Sequence, residues 1–112
     1  MVEKEIITKI NEFIELLQKK RVRVNKVILY GSRASGKAQK DSDIDIAIIS
    51  SDFGKNRFKE GSMLFELAAL VDTRIEPIPI SLSAYQKKTW LPLIYEIRTK
   101  GIEISKDMLQ LK

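Results

Sequence analysis

Two apolar runs constrain the fold most: "NKVILY" (residues 25–30) and "SDIDIAIIS" (residues 42–50). The first is bounded by the Gly31-Ser32 turn signal and reads as a short strand. In the second, Ile44, Ile46 and Ile48 face one way, and Asp43, Asp45 and Ala47 face the other. It is expected to be a strand with one face buried and an acidic tip on the opposite face. Between them, Ser32 is expected to cap a short helical turn that Gly36 breaks.

The flanking segments supply helices. Val2, Ile6, Ile10, Phe13, Ile14 and Leu17 form one stripe at helical spacing, predicting a helix over 2–20. Lys19, Lys20 and Arg21 suit the negative end of its dipole. Residues 58–71 predict a second helix, with Met63, Leu64, Leu67, Ala68 and Val71 on one side. "RIEPIPI" (residues 74–80) predicts a third strand. Pro77 and Pro79 share parity, so their missing N–H groups fall along one edge, which favours an edge strand. Residues 81–100 are expected to be mostly helical, with Ser83 as a cap, Pro92 at a break or a new first turn, and Gly101 as the stop. Ile102 to Ile104 offer a further short strand. The class expected is α+β (mixed α/β): a small mixed sheet of three to four strands flanked by helices.

A length of 112 residues fits one small domain over 1–112. An apolar share of 44% argues against wholesale disorder. No run approaches the roughly 20 apolar residues of a membrane helix, and no signal peptide is expected. With neither cysteine nor histidine, disulfides, thiolate metal sites and histidine-based catalysis are excluded within the chain. A cytoplasmic location is expected. Twenty basic against fifteen acidic residues give a net charge of +5. The dense basic patch "KKRVRVNK" (residues 19–26) lacks interleaved aromatics, so nucleic acid is not the expected partner. Lys87, Lys88, Trp90 and Tyr95 read as surface charge and core, with Trp90 packed inside. Tyr30 also reads as packing.

The stretch "YGSRASGKAQKDSDIDIAII" (residues 30–49) nearly spells a P-loop, G-x-x-x-x-G-K-S/T. However, Ala38 stands where the hydroxyl belongs, and a strand follows rather than a long helix. The segment makes better sense as one unit. Ten residues (33 through 42) separate Gly31-Ser32 from Asp43, and one separates Asp43 from Asp45. Two acids at i and i+2 repel unless they share a cation or stay hydrated. Mg²⁺ takes one or two carboxylates together with substrate phosphates. The Gly31-Ser32 turn brings backbone N–H groups and a hydroxyl towards a phosphate.

On these residues the segment resembles the signature of the DNA polymerase beta-type nucleotidyltransferase superfamily, above all its minimal nucleotidyltransferase (MNT) domains. Gly31, Ser32, Ala34, Gly36, Ala38, Ser42, Asp43, Ile44 and Asp45 stand at matching positions. Ser35 departs from a frequent arginine, with Arg33 or Lys37 as compensating cations. The resemblance implies a polymerase beta-like fold and transfer of a nucleoside monophosphate, AMP from ATP, to an acceptor hydroxyl with release of pyrophosphate. It also implies two Mg²⁺ ions, Mn²⁺ being a substitute, held by Asp43, Asp45 and a third carboxylate. Glu76 occupies the expected place where the family usually has aspartate, and Asp72 is the fallback. Gly31, Ser32, Arg33, Lys37 and Ser42 would bind the nucleotide. Because the chain has no room for an appended acceptor domain, a partner is expected: a small helical HEPN-type protein, with this chain as antitoxin, or a second copy. Two other readings remain open. One is a catalytically weak module that binds nucleotide or partner. The other, weaker, is a nucleic-acid binder.

Overall fold

The computed structural model describes residues 2–104. The first apolar stripe becomes α1 (Lys4–Lys19), whose Ile6, Ile10, Phe13, Ile14 and Leu17 are buried. Next come β1 (Lys26–Tyr30), the single helical turn α2 (Ser32–Ser35) and β2 (Ile44–Ser50). Then follow α3 (Arg57–Val71), β3 (Ile75–Ser81), α4 (Leu82–Lys87), α5 (Pro92–Lys100) and β4 (Ile102–Glu103). The class is mixed α+β, as the alternation of strands and helices predicts.

The four strands form one sheet in the order β3-β2-β1-β4. β1 runs antiparallel to both β2 and β4, while β2 and β3 are parallel. A parallel pair needs a crossover, and α3 supplies it. β3 lies at an edge, where Pro77 and Pro79 cost the sheet no ladder bonds. α3 starts on a reciprocal cap. The Asn56 side chain accepts from the Lys59 N–H at 3.1 Å. The Glu60 carboxylate reaches back to the N–H groups of Gly54, Lys55 and Asn56. Burial is the largest single effect on the Glu60 carboxyl and raises it, but the three backbone bonds and the Lys55 charge together outweigh it and hold the carboxyl below its usual range.

Both faces of the sheet are covered. α1 and α3 pack on one face, against Val27, Leu29, Ile44, Ile46 and Ile48. α5 covers the other, where Ile94 and Ile97 meet Ile28, Ala47, Ile49 and Ile80. This corrects the one-sided reading of β2: beyond Asp45 its second face is buried too. Only the start of β2 is left for chemistry. Each fully buried isoleucine or leucine contributes roughly 1.5–3 kcal/mol.

Two local expectations are corrected. Ser81, not Ser83, caps α4, its hydroxyl accepting from the Ala84 N–H at 3.1 Å. Trp90 is 74% exposed rather than in the core, and Tyr95 is exposed as well. Trp90 sits in the break between α4 and α5, with no helix face to turn it inward.

Candidate active site

Gly31 makes the turn out of β1. Its φ of 72° is costly for any side-chain-bearing residue. Its carbonyl accepts from the N–H groups of Ala34 and Ser35, so Gly31 rather than Ser32 is the N-cap of α2. Gly36 ends the turn in the left-handed conformation. The Ser42 hydroxyl then accepts from the Gln39 N–H at 2.8 Å, closing the following loop.

β2 begins directly after Asp43, and its register brings the acids together. Asp45 lies opposite Tyr30 on one side and Glu76 on the other. Asp45 also backs onto Gly31, where a Cβ would stand 2.5 Å from Asp45 Oδ2. Burial raises the Asp45 carboxyl above its ordinary range, and the charges of Asp43, Glu76 and Glu96 raise it further. Burial, then Asp45, Glu96 and Glu76, push the Tyr30 phenol up to about 12. Glu96, on α5, was missed by sequence reasoning. The spacing of Ile94 and Ile97 indicates which way α5 faces, but nothing local says that this helix packs beside Tyr30.

The structure thus brings Gly31, Asp43, Asp45 and Glu76 to one end of the sheet. Lys37 is exposed on the loop, and Ser42 braces that loop. Arg33 is turned onto the loop that follows α2. Its side chain is only 5% exposed and donates to the carbonyls of Ser42 at 2.8 Å and Lys40 at 3.2 Å. Asp72, the fallback ligand, is engaged elsewhere. The Arg74 guanidinium donates to it at 2.8 Å, and chiefly this bond lowers its carboxyl to about 2.

Among the described residues no three carboxylates stand close enough together to close a cation site. The donor set nevertheless suits a hard divalent cation: acids only, in neighbouring registers, with Asp45 carrying uncompensated repulsion.

A strand pair joined by a glycine turn, ending in acids at one end of a mixed sheet, is the arrangement of a nucleotidyltransferase domain. The chain belongs to the polymerase beta nucleotidyltransferase family, whose sequence profile matches residues 11–108. Three solved structures share the fold. One, described as a candidate nucleotidyltransferase from Sulfolobus solfataricus, has a TM-score of 0.64 at 17% identity, over 88% of this chain and 78% of that one. A toxin–antitoxin structure with AMP-PNP has a TM-score of 0.57 at 23% identity, over 88% and 76%. A mutant of the toxin–antitoxin MntA-HpeT has a TM-score of 0.54 at 20% identity, over 88% and 75%. No curated protein matches the chain.

Proposed function

We propose that this chain, as a single domain over 1–112, is a Mg²⁺-dependent nucleotidyltransferase that moves AMP from ATP to an acceptor hydroxyl and releases pyrophosphate. The observation that carries this is the pairing of Asp45 with Glu76 across the β2–β3 register, with Gly31 pressed against Asp45. Asp43, Asp45 and Glu76 would hold the divalent ions. Once bound, such ions stabilise the attacking and leaving oxygens of the transfer. The glycine turn presents the first amides of α2 and the Ser32 hydroxyl to the triphosphate, and exposed Lys37 adds positive charge. Glu76, open to solvent on the edge strand, takes the proton of the acceptor hydroxyl as the new O–P bond forms.

ATP is favoured because a structural relative is described with AMP-PNP. A partner protein is favoured because two relatives are described as toxin–antitoxin structures. A small helical partner of the HEPN type would place its own hydroxyl at the acids; a second copy of this chain is the other candidate. A cytoplasmic setting fits the use of ATP, and no helix among the described residues is long and apolar enough to cross a membrane.

The second reading is a module of little turnover that holds nucleotide or partner. Glutamate at position 76 and the open spacing of the acids favour it. So does a groove of about 720 Å³ beside β3, lined by Phe58, Ile78, Leu91 and Leu93. Phe58 there is 83% exposed.

The test is calorimetric titration of each ribonucleoside triphosphate, with Mg²⁺ and with chelator, into wild type and Asp43→Ala. Selective binding that needs Mg²⁺ and is lost in the variant supports the site. Equal binding by both proteins overturns it.

A further inference from the structure

The loop between α2 and β2 is gripped from two directions at Lys40. Arg33, on α2, donates to the Lys40 carbonyl at 3.2 Å, and Arg74, at the start of β3, donates to the same oxygen at 2.9 Å. Arg74 is itself steered by Asp72 at 2.8 Å and by Glu5 of α1 at 2.9 Å. One guanidinium therefore connects α1, the end of α3 and the loop. Charge-assisted bonds of this kind are stronger and more directional than neutral ones.

The bonds next to Asp43 matter most. The peptide on its N-terminal side is held through the Ser42 carbonyl, which accepts from Arg33 at 2.8 Å. The peptide on its C-terminal side is held through the Ile44 N–H, which donates to the main-chain carbonyl of residue 74 at 2.8 Å; the Arg74 side chain acts on that backbone only indirectly, through its bonds to Lys40, Asp72 and Glu5. With both flanking peptide planes fixed, the backbone angles of Asp43 are fixed, and so is the direction in which its side chain leaves the chain. Arg33 points into the loop carbonyls and is nearly buried. Its Nη2 serves the loop, while its buried Nε has no hydrogen-bond partner among the described residues.

We propose that Arg33 and Arg74 are positioning residues for Asp43: they clasp the loop so that this carboxylate meets a divalent cation alongside Asp45. The proposal rests on the reading of Asp43 as a cation ligand. Lysine at position 74 keeps the charge but loses the planar fork that reaches Lys40, Asp72 and Glu5 at once; at position 33, where Nη2 alone makes both carbonyl bonds, the lysine ammonium sits about one bond short of that nitrogen.

The experiment uses Arg33→Lys and Arg74→Lys with two readouts that need no catalysis. The first is amide hydrogen exchange of residues 39–44 in the ligand-free protein, with the α3 amides as internal reference. The second is Mn²⁺ affinity, measured by electron paramagnetic resonance with Mn²⁺ alone. Exchange at Gln39 and Ser42 is expected to rise selectively, with Ile44, whose N–H bonds a main-chain carbonyl that both variants keep, changing less. Mn²⁺ is expected to bind about tenfold more weakly, as when a group that orients a metal ligand is removed. Unchanged loop exchange overturns the clasp, even where affinity falls, because the arginines would then act on cation binding by some route other than holding the loop. Faster exchange with unchanged Mn²⁺ affinity overturns the link to Asp43. If wild type itself binds no Mn²⁺, the reading of Asp43 as a ligand fails and the positioning role fails with it; loop exchange still reports separately whether the clasp exists. Should Arg74→Lys not fold, Arg33→Lys decides, since among the described residues the Arg33 side chain bonds only the loop carbonyls and pairs only with Glu3.

Discussion

Gly31 and Asp45 occupy adjoining space, so that a Cβ on residue 31 would stand 2.5 Å from Asp45 Oδ2. The glycine thus serves two ends: it makes a turn that needs φ of 72°, and it leaves room for the carboxylate behind it. Gly31→Ala is expected to cost about 1–3 kcal/mol from the backbone alone, because φ of 72° with ψ of −149° lies in a region held almost only by glycine. It should also displace Asp45 and abolish Mg²⁺-dependent nucleotide binding. Denaturant unfolding and calorimetry read the two effects. Wild-type affinity in the alanine variant would show that the contact is unimportant.

Asp45→Asn separates fold from function. The Asp45 carboxyl is raised in the folded protein by burial and by neighbouring acids. Its contribution to stability is therefore full below its unfolded value, near 3.8, and is lost as pH rises through the folded value. At neutral pH the ionised group is a burden. The asparagine variant should melt higher than wild type in chelator and gain nothing from Mg²⁺, whereas wild type should gain. Thermal melts with and without Mg²⁺ check both.

Asp72 behaves in the opposite sense. Its carboxyl falls from 3.8 to about 2, chiefly through the Arg74 side-chain bond. The stability it contributes is present above the unfolded value and is lost as pH falls through the folded one. Wild type should therefore lose denaturant resistance between roughly pH 4 and pH 2, and Asp72→Asn should flatten that part of the curve. Parallel curves for the two proteins would mean the pair adds nothing.

Ile44 anchors the acidic tip, being fully buried between Asp43 and Asp45. Ile44→Ala is expected to cost about 2–5 kcal/mol and Ile44→Val about 0.5–1.5 kcal/mol. Equilibrium unfolding measures both, and a smaller alanine cost would mean that the strand end collapses around the cavity.

Trp90 gives a contrasting case. Being 74% exposed, its replacement by alanine should shift stability by no more than about 0.5 kcal/mol. Its fluorescence should be that of a water-exposed indole.

What was legible in the sequence was whatever depends on local pattern. The alternation at Ile44, Ile46 and Ile48 located β2. The shared parity of Pro77 and Pro79 placed β3 at an edge. The spacing of Gly31-Ser32 from Asp43 and Asp45 singled out the turn and the start of β2, while Glu76, which the register sets opposite Asp45, was suggested by the family resemblance and not by local pattern. What failed depended on where long side chains point. Arg33 carries the charge a phosphate would want, and the residue type does not record that its guanidinium lies on the loop carbonyls. Ser81 and Ser83 are equally good caps on paper, and only the end of β3 decides between them. Trp90 is large and apolar, yet it falls in a break between helices. Glu96 joins the acids because α5 crosses the sheet beside Tyr30, a tertiary fact that no local pattern records.

The parallel pairing of β2 with β3 also sets an order in time. Asp43 and Asp45 are synthesised early, but Glu76 and Arg74 reach them only after the whole of α3 has been made and folded across the sheet. A growing chain that ends before β3 holds two acids and half a clasp. On the proposed reading, full cation affinity would be acquired only once β3 has docked beside β2, which makes it a gauge of whether the last crossover has closed.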